Sequence, residues 1–270
     1  MAVTAASSPG VLDLIDRTTI ISLFSTLAIL FAALALSKIV LAPNTASRMR
    51  FLFVWHAFDF LIHFILEGSF VYHCLFSSTD VRHVSGDYWP NPVGYLGRAA
   101  ASKKIVNGAQ AGGANPLAQL WMVYSKADRR WAGVDLGVLS IEIITVLFAG
   151  LMAVWVCVDI ARKKERVYVS MIVLATAEIY GGYMTFMPEW LSGSANLDTS
   201  NFMYKWIFLA FFNGLWVVIP IYAIYVGSME ILDAFKVRTK VRAKLLEKER
   251  VQEKEYREKP EVKKRSSRSS

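Results

Sequence analysis

Cysteine, proline and histidine are all scarce in this 270-residue chain, at 2, 8 and 4 copies. Cys74 and Cys157 both sit in apolar runs, where a thiol behaves as a small hydrophobe. Neither a disulfide framework nor a cysteine metal site is therefore expected. The sequence also lacks a G-x-S-x-G nucleophile elbow, an H-E-x-x-H zinc helix and a phosphate-cradling glycine loop. Those absences remove the common hydrolases and nucleotide-binding enzymes. No solenoid or inverted-transporter repeat is visible, which argues against a channel or carrier. A cleavable signal peptide is not expected, because the first hydrophobic run is too long for a signal h-region and has no basic n-region before it.

Apolar residues are abundant instead. A hydrophobic content of 54% and a mean hydropathy of +0.37 exceed what an ordinary soluble domain carries. Runs of about 20 apolar residues fall near 18–37, 51–76, 136–158, 167–187 and 202–229. The expected fold is an all-α integral membrane bundle of five transmembrane helices. Its parts are a polar leader (1–17), a first transmembrane helix (18–41), a four-helix core (51–230) with a long loop at 77–135, and a basic tail (236–270). Within that loop, the Gly/Ala/Asn-rich stretch 88–115 reads as a mobile insertion, and 117–131 as an interfacial segment or a cap over a cavity.

Charge orients the bundle. Lys38, Arg48 and Arg50 flank the first short loop, and Arg162, Lys163, Lys164 and Arg166 crowd the third. Both loops lie on the side of the tail, so the positive-inside rule puts the C-terminus in the cytosol and the N-terminus in the lumen. The formal charge of +8 resides in the tail, where residues 236–270 hold 14 Lys/Arg against 6 Asp/Glu. Without aromatic stacking platforms this reads as a solvated segment near anionic headgroups, and no nucleic-acid partner is expected.

What interrupts the apolar runs carries the chemistry, because an ionisable group inside a bilayer is kept only where it faces a partner or a cavity. His56, Asp59, His63 and Glu67 are spaced 3, 4 and 4 apart, which places them within roughly 80° of one helix face. The later runs add Glu142 with Thr145, then Glu178, then Asn213 and Trp216 one turn before Pro220, where a kink is expected. A structural role is open for three of these: Thr145 and Asn213 as interhelical hydrogen bonders, and Glu178 as a partner of Lys205. His63 and Glu67 stand at metal-ligand spacing, but no third convergent ligand is visible, so no metal and no cofactor are expected.

The run Asp59-Phe-Leu-Ile-His63-Phe-Ile-Leu-Glu67-Gly68, the pair Glu142 and Thr145 in Ile-Glu-Ile-Ile-Thr, and Phe212-Asn213-Gly-Leu-Trp216 resemble the emopamil-binding protein family, the EXPERA-domain sterol isomerases. The stretches Glu178 to Trp190 and Leu197 to Asn201 are similar to the emopamil-binding-protein-like branch. The resemblance implies a multi-pass endoplasmic reticulum protein whose cavity accepts a sterol-like lipid and moves a ring double bond from the 8 to the 7 position. It implies His63, Glu67, Glu142, Thr145 and Asn213 as catalytic groups, with Trp216, Asp59, Glu178 and Tyr183 contacting substrate. Cationic amphiphilic amines would bind as mimics of the carbocation, and a homodimer is a further expectation. Two alternatives accompany this reading: a sterol- or amine-binding protein without turnover, and an isoprenoid isomerase or cyclase acting on another polyene lipid.

Overall fold

The computed structural model describes residues 17–97 and 104–266. Apart from Arg17, the expected leader 1–17 lies outside these residues, as do 98–103 of the long loop and the last four residues of the tail. Among the described residues, five helices are long and apolar enough to cross a membrane: α1 (Thr18–Val40), α2 (Ser47–Phe76), α4 (Leu136–Ala161), α5 (Val167–Leu191) and α6 (Met203–Arg257). A short helix α3 (Pro116–Tyr124) lies in the loop between α2 and α4. Helix α6 continues through Pro220 to Ser266 without a break, so most of the basic tail is an extension of the last span rather than a separate segment.

Helices are the form these runs must take in lipid, where every backbone N–H and C=O has to be satisfied within its own segment. Helix α1 applies the same rule to its hydroxyls. Ser22, Ser25 and Thr26 each donate back to the carbonyl four residues earlier. The outer faces are left to the lipid: Phe31, Leu147 and Val218 are each 66% exposed.

Inside, Leu52, Phe53, Phe70, Val156, Met171 and Val226 are almost fully buried in one core. Helix α2 is central, packing against α1 and the second half of α4, while α5 packs along α6. Close approach depends on small residues, as is usual for helices in lipid. A Cβ added at Gly150 would sit 2.8 Å from the Phe64 ring and 3.3 Å from His63 Cβ. Gly150 therefore lets α4 press directly on the polar stretch of α2.

Three of the five spans widen into a π-helical turn, at Ile62–Glu67, Thr145–Ala149 and Met203–Phe212. Each such turn contains or directly precedes one of the polar residues singled out above. Such turns open carbonyls to other donors and recur at functional sites. Nothing in the apolar periodicity announces them. The irregularity in the last span is this ten-residue π-helix, not an interruption at Pro220.

Within the stretch 88–115, the described residues 88–97 and 104–115 carry regular pairing. Strand β1 (Ser78–Asp80) pairs antiparallel with β2 (Ile105–Asn107). Side-chain amides then act as substitute ladders: Asn91 exchanges two hydrogen bonds of 2.9 Å with Asn107, and Gln110 brackets the Trp89 backbone at 2.9 and 2.8 Å. The Tyr95 hydroxyl donates to Cys74 O at 2.9 Å, which ties this loop to the end of α2.

Candidate functional site

A cavity of about 1120 Å³ opens between the spans under α3. It is mostly apolar and spacious for a drug-sized ligand, so a large rigid lipid suits it. His63, Glu67, Glu142, Glu178, Asn213 and Trp216 all line it, as do Thr145 and Tyr183. The structure thus brings eight of the nine expected site residues to one cavity.

Asp59 is the exception and a correction. It is fully buried and does not border the cavity. Its carboxylate stands behind two residues that do. Trp216 Nε1–H donates to Asp59 Oδ1 at 2.8 Å, and His63 Nε2 lies 3.0 Å from the same oxygen. On its other side His63 Nδ1 is 2.6 Å from Glu67 Oε2. One imidazole therefore bridges a deep carboxylate and a cavity-facing one, and the π-turn at Ile62–Glu67 is where this alignment is made. Glu142 interacts with Glu67 and His63 from the facing helix α4. Its Oε2 has no hydrogen-bond partner among the described residues, which leaves it available to a ligand.

Two expected catalytic groups spend their protons on the scaffold. Thr145 Oγ1–H donates to Ile141 O at 2.9 Å. The Asn213 amide N–H groups reach Phe208 O and Leu209 O, at 3.0 and 2.9 Å, and the Tyr124 hydroxyl at 3.0 Å. Thr145 keeps its oxygen lone pairs for the cavity and Asn213 its carbonyl, so both face a ligand as acceptors. The expected Glu178–Lys205 pair does not form. Glu178 is buried beside Asp59, and the Lys205 ammonium lies over the Trp206 ring, 5.2 Å from its centroid.

The cavity has a roof that sequence reasoning drew only in outline. Asn115 caps α3 by accepting from Leu117 N–H and Ala118 N–H, with Pro116 at the first turn. Trp121 stacks on Trp131 with centroids 4.7 Å apart and planes 11° from parallel. The Trp121 Nε1–H is shared between Leu66 O at 3.1 Å, in the π-turn of α2, and Ser69 Oγ at 3.0 Å. Arg130 then locks the roof to α5. It forks onto Asp128 at 2.9 and 2.6 Å, donates to Thr185 O at 2.8 Å and lies 3.6 Å from Glu189, which is itself held by Asn196. Burial raises the Asp128 carboxyl above the usual carboxylate range even with Arg130 beside it, and burial likewise pushes the Tyr124 hydroxyl up.

These features define a multi-pass membrane protein whose spans enclose a lipid-sized apolar cavity lined by imidazole and carboxyl groups. Residues 116–227 match the EXPERA (EXPanded EBP superfamily) family. The chain is 31% identical over 129 residues to 3-beta-hydroxysteroid-Delta(8),Delta(7)-isomerase of Mus musculus, covering 48% of this chain and 53% of that protein. To the protein of the same name from Cavia porcellus it is 26% identical over 203 residues, covering 75% and 73%. Protoglabretal synthase of Ailanthus altissima is 26% identical over 185 residues, covering 67% and 69%. The chain spans about half the length of the mouse relative and about three quarters of the guinea-pig one. Over residues 116–227 the chain is thus similar to the EXPERA family, and over longer stretches it is similar to named sterol isomerases. Glu142, Thr145, Glu178, Asn213 and Trp216 fall inside the matched domain, whereas Asp59, His63 and Glu67 precede it.

Proposed function

We propose that this protein is a sterol double-bond isomerase of the endoplasmic reticulum membrane, converting an 8-ene sterol to its 7-ene isomer. The observation that carries the reading is that Glu67 and Glu142 face one apolar cavity together with His63 and the Trp216 ring. The reaction needs those parts. A proton added to C9 of the 8-ene leaves a tertiary cation at C8, and loss of a proton from C7 forms the 7-ene, so no net proton is consumed. One of Glu67 and Glu142 donates, assisted by His63, and the other accepts. Trp216 offers its π-face to the cation, and the oxygens of Thr145 and Asn213 add negative potential in a site that excludes water. Asp59 acts through others: it holds the Trp216 ring by accepting its Nε1–H and stands 3.0 Å from His63 Nε2. Glu178 and Tyr183 border the sterol body.

The same cavity would take a cationic amphiphilic amine, whose charge stands between the two carboxyls as the carbocation does. A second reading, an isomerase or cyclase of another polyene lipid, is favoured by the similarity to the Ailanthus synthase. It uses the same acid-base wall. In our reading the N-terminus, the α3 roof and the loop 192–201 are lumenal, and the tail is cytosolic. The roof and that loop share a side, joined by the Asp128–Leu197 bridge, opposite the basic loops. We also place self-association as a homodimer within this proposal.

Turnover by the purified protein tests the function: 7-ene product from an 8-ene sterol is expected, and its absence from a folded, amine-binding sample sinks the isomerase reading. Protease added to sealed microsomes tests the orientation. Cleavage between residues 88 and 115 from the cytosolic side, without detergent, would reverse it.

A further inference from the structure

Behind the cavity wall, His56, Asp59 and Glu178 converge from α2 and α5. Each offers a ligand atom, and these atoms all lie within 4.8 Å of one another. All three residues are buried, His56 and Asp59 completely. Both His56 ring nitrogens have no hydrogen-bond partner among the described residues, and Asp59 Oδ2 and the Glu178 oxygens have none beyond the approach of the two carboxyls to each other. A buried imidazole with both nitrogens unpaired beside two such carboxyls is more than a native interior leaves unexplained, since such groups are nearly always satisfied by protein, water or an ion.

We propose that these three side chains bind a divalent transition cation of the zinc class. The donor set is one imidazole nitrogen and two carboxylate oxygens, which is that of a three-ligand site with an open fourth position. The charges balance, because a doubly charged cation offsets two carboxylates that would otherwise repel within the bilayer interior. Bonds of about 2.0–2.2 Å put tetrahedral ligand atoms roughly 3.4 Å apart, so the side chains close inward by about 1 Å on binding. Asp59 is already prepared as a ligand. Its Oδ1 accepts from Trp216 Nε1–H and faces His63, which leaves Oδ2 turned to the cation, and such outer partners typically orient metal-ligating carboxylates. Glu178 also borders the cavity, so the fourth position faces that side. His63 and Glu67, one turn apart on one helix, show no third convergent ligand in the nearby sequence. The converging set instead draws Glu178 from α5, 119 residues after Asp59. The site shares Asp59 and Glu178 with the isomerase proposal, but metal binding is read without turnover, so the two can fail separately.

The test uses full-length protein purified in detergent through a tag without histidine, stripped with a chelator and titrated with Zn²⁺ or Co²⁺. About one metal per chain is expected, with a rise in thermal midpoint on Zn²⁺ addition and visible Co²⁺ absorption that Zn²⁺ displaces. His56→Leu and Glu178→Gln should each weaken Zn²⁺ binding by about tenfold or more, while Glu67→Gln should bind as the wild type does. A folded wild type with neither stoichiometric metal nor a Co²⁺ band would overturn the proposal and assign the cluster to a shared proton or a trapped water. Metal binding that survives both His56→Leu and Glu178→Gln would overturn it equally, since the ion would then sit elsewhere.

Discussion

The roof and the cavity wall both bury charged groups, and the two treat them differently. In the roof, the Arg130 guanidinium meets Asp128, Thr185 O and Glu189, and Glu189 is completed by Asn196. In the cavity wall, one imidazole serves Asp59 and Glu67, and atoms of Glu142, Glu178, His56 and Asp59 remain without partners. Saturation makes the roof a rigid clasp. The unsaturated wall keeps donors and acceptors in reserve for a ligand, at a cost in stability that the surrounding packing offsets.

The largest effect on turnover should come from the wall. Glu67→Gln and Glu142→Gln are each expected to lower the isomerisation rate by about 10²–10⁴-fold, the usual contribution of a positioned acid or base. Thermal unfolding in detergent should hardly change. Arg130→Ala should do the reverse of this. It leaves Asp128 buried without its cation, a loss of about 3–5 kcal/mol, read as a lower thermal midpoint that precedes any loss of rate. If Glu67→Gln unfolds the protein while Arg130→Ala leaves it stable and inactive, the division between wall and roof is drawn the wrong way.

Asp59→Asn sharpens the comparison, because Asp59 is buried like a roof residue yet serves the wall. The amide still accepts from Trp216 Nε1–H but no longer offers a negative charge to His63. A fall of about tenfold in kcat with KM little changed is expected, measured by steady-state turnover; a change in KM alone would make Asp59 a binding residue after all. The smallest effect should follow Glu178→Gln, less than tenfold on turnover. Complete loss there would show that the reacting groups extend to α5.

The spans were legible because bilayer thickness fixes the length of an apolar run. The stripe His56, Asp59, His63 and Glu67 was legible because ionisable residues stand out against such a run. Beyond that the sequence was silent for physical reasons. A π-turn such as Ile62–Glu67 changes the angle between neighbours without changing composition, so the turn has no periodic signature, although the i, i+4 spacing of His63 and Glu67 already puts them on one face. The role of Asp59 depends on Trp216, 157 residues later, and Arg130 depends on carbonyl and carboxyl groups of α5. Glycine and asparagine usually mark loops, so the amide bonding of Asn91, Asn107 and Gln110 in the described part of 88–115 had no signal in composition. The closeness of Gly150 to His63 was likewise invisible, since only the packed helices reveal which glycine faces a neighbour.

The most direct test of the central claim is isotopic. The purified protein is incubated with an 8-ene sterol in deuterated water, and the product is examined for the position of its double bond and of its label. A 7-ene sterol carrying deuterium at C9 is the result expected from protonation by a wall residue in exchange with solvent. Unchanged 8-ene sterol from protein that is folded and binds an amphiphilic amine would contradict it.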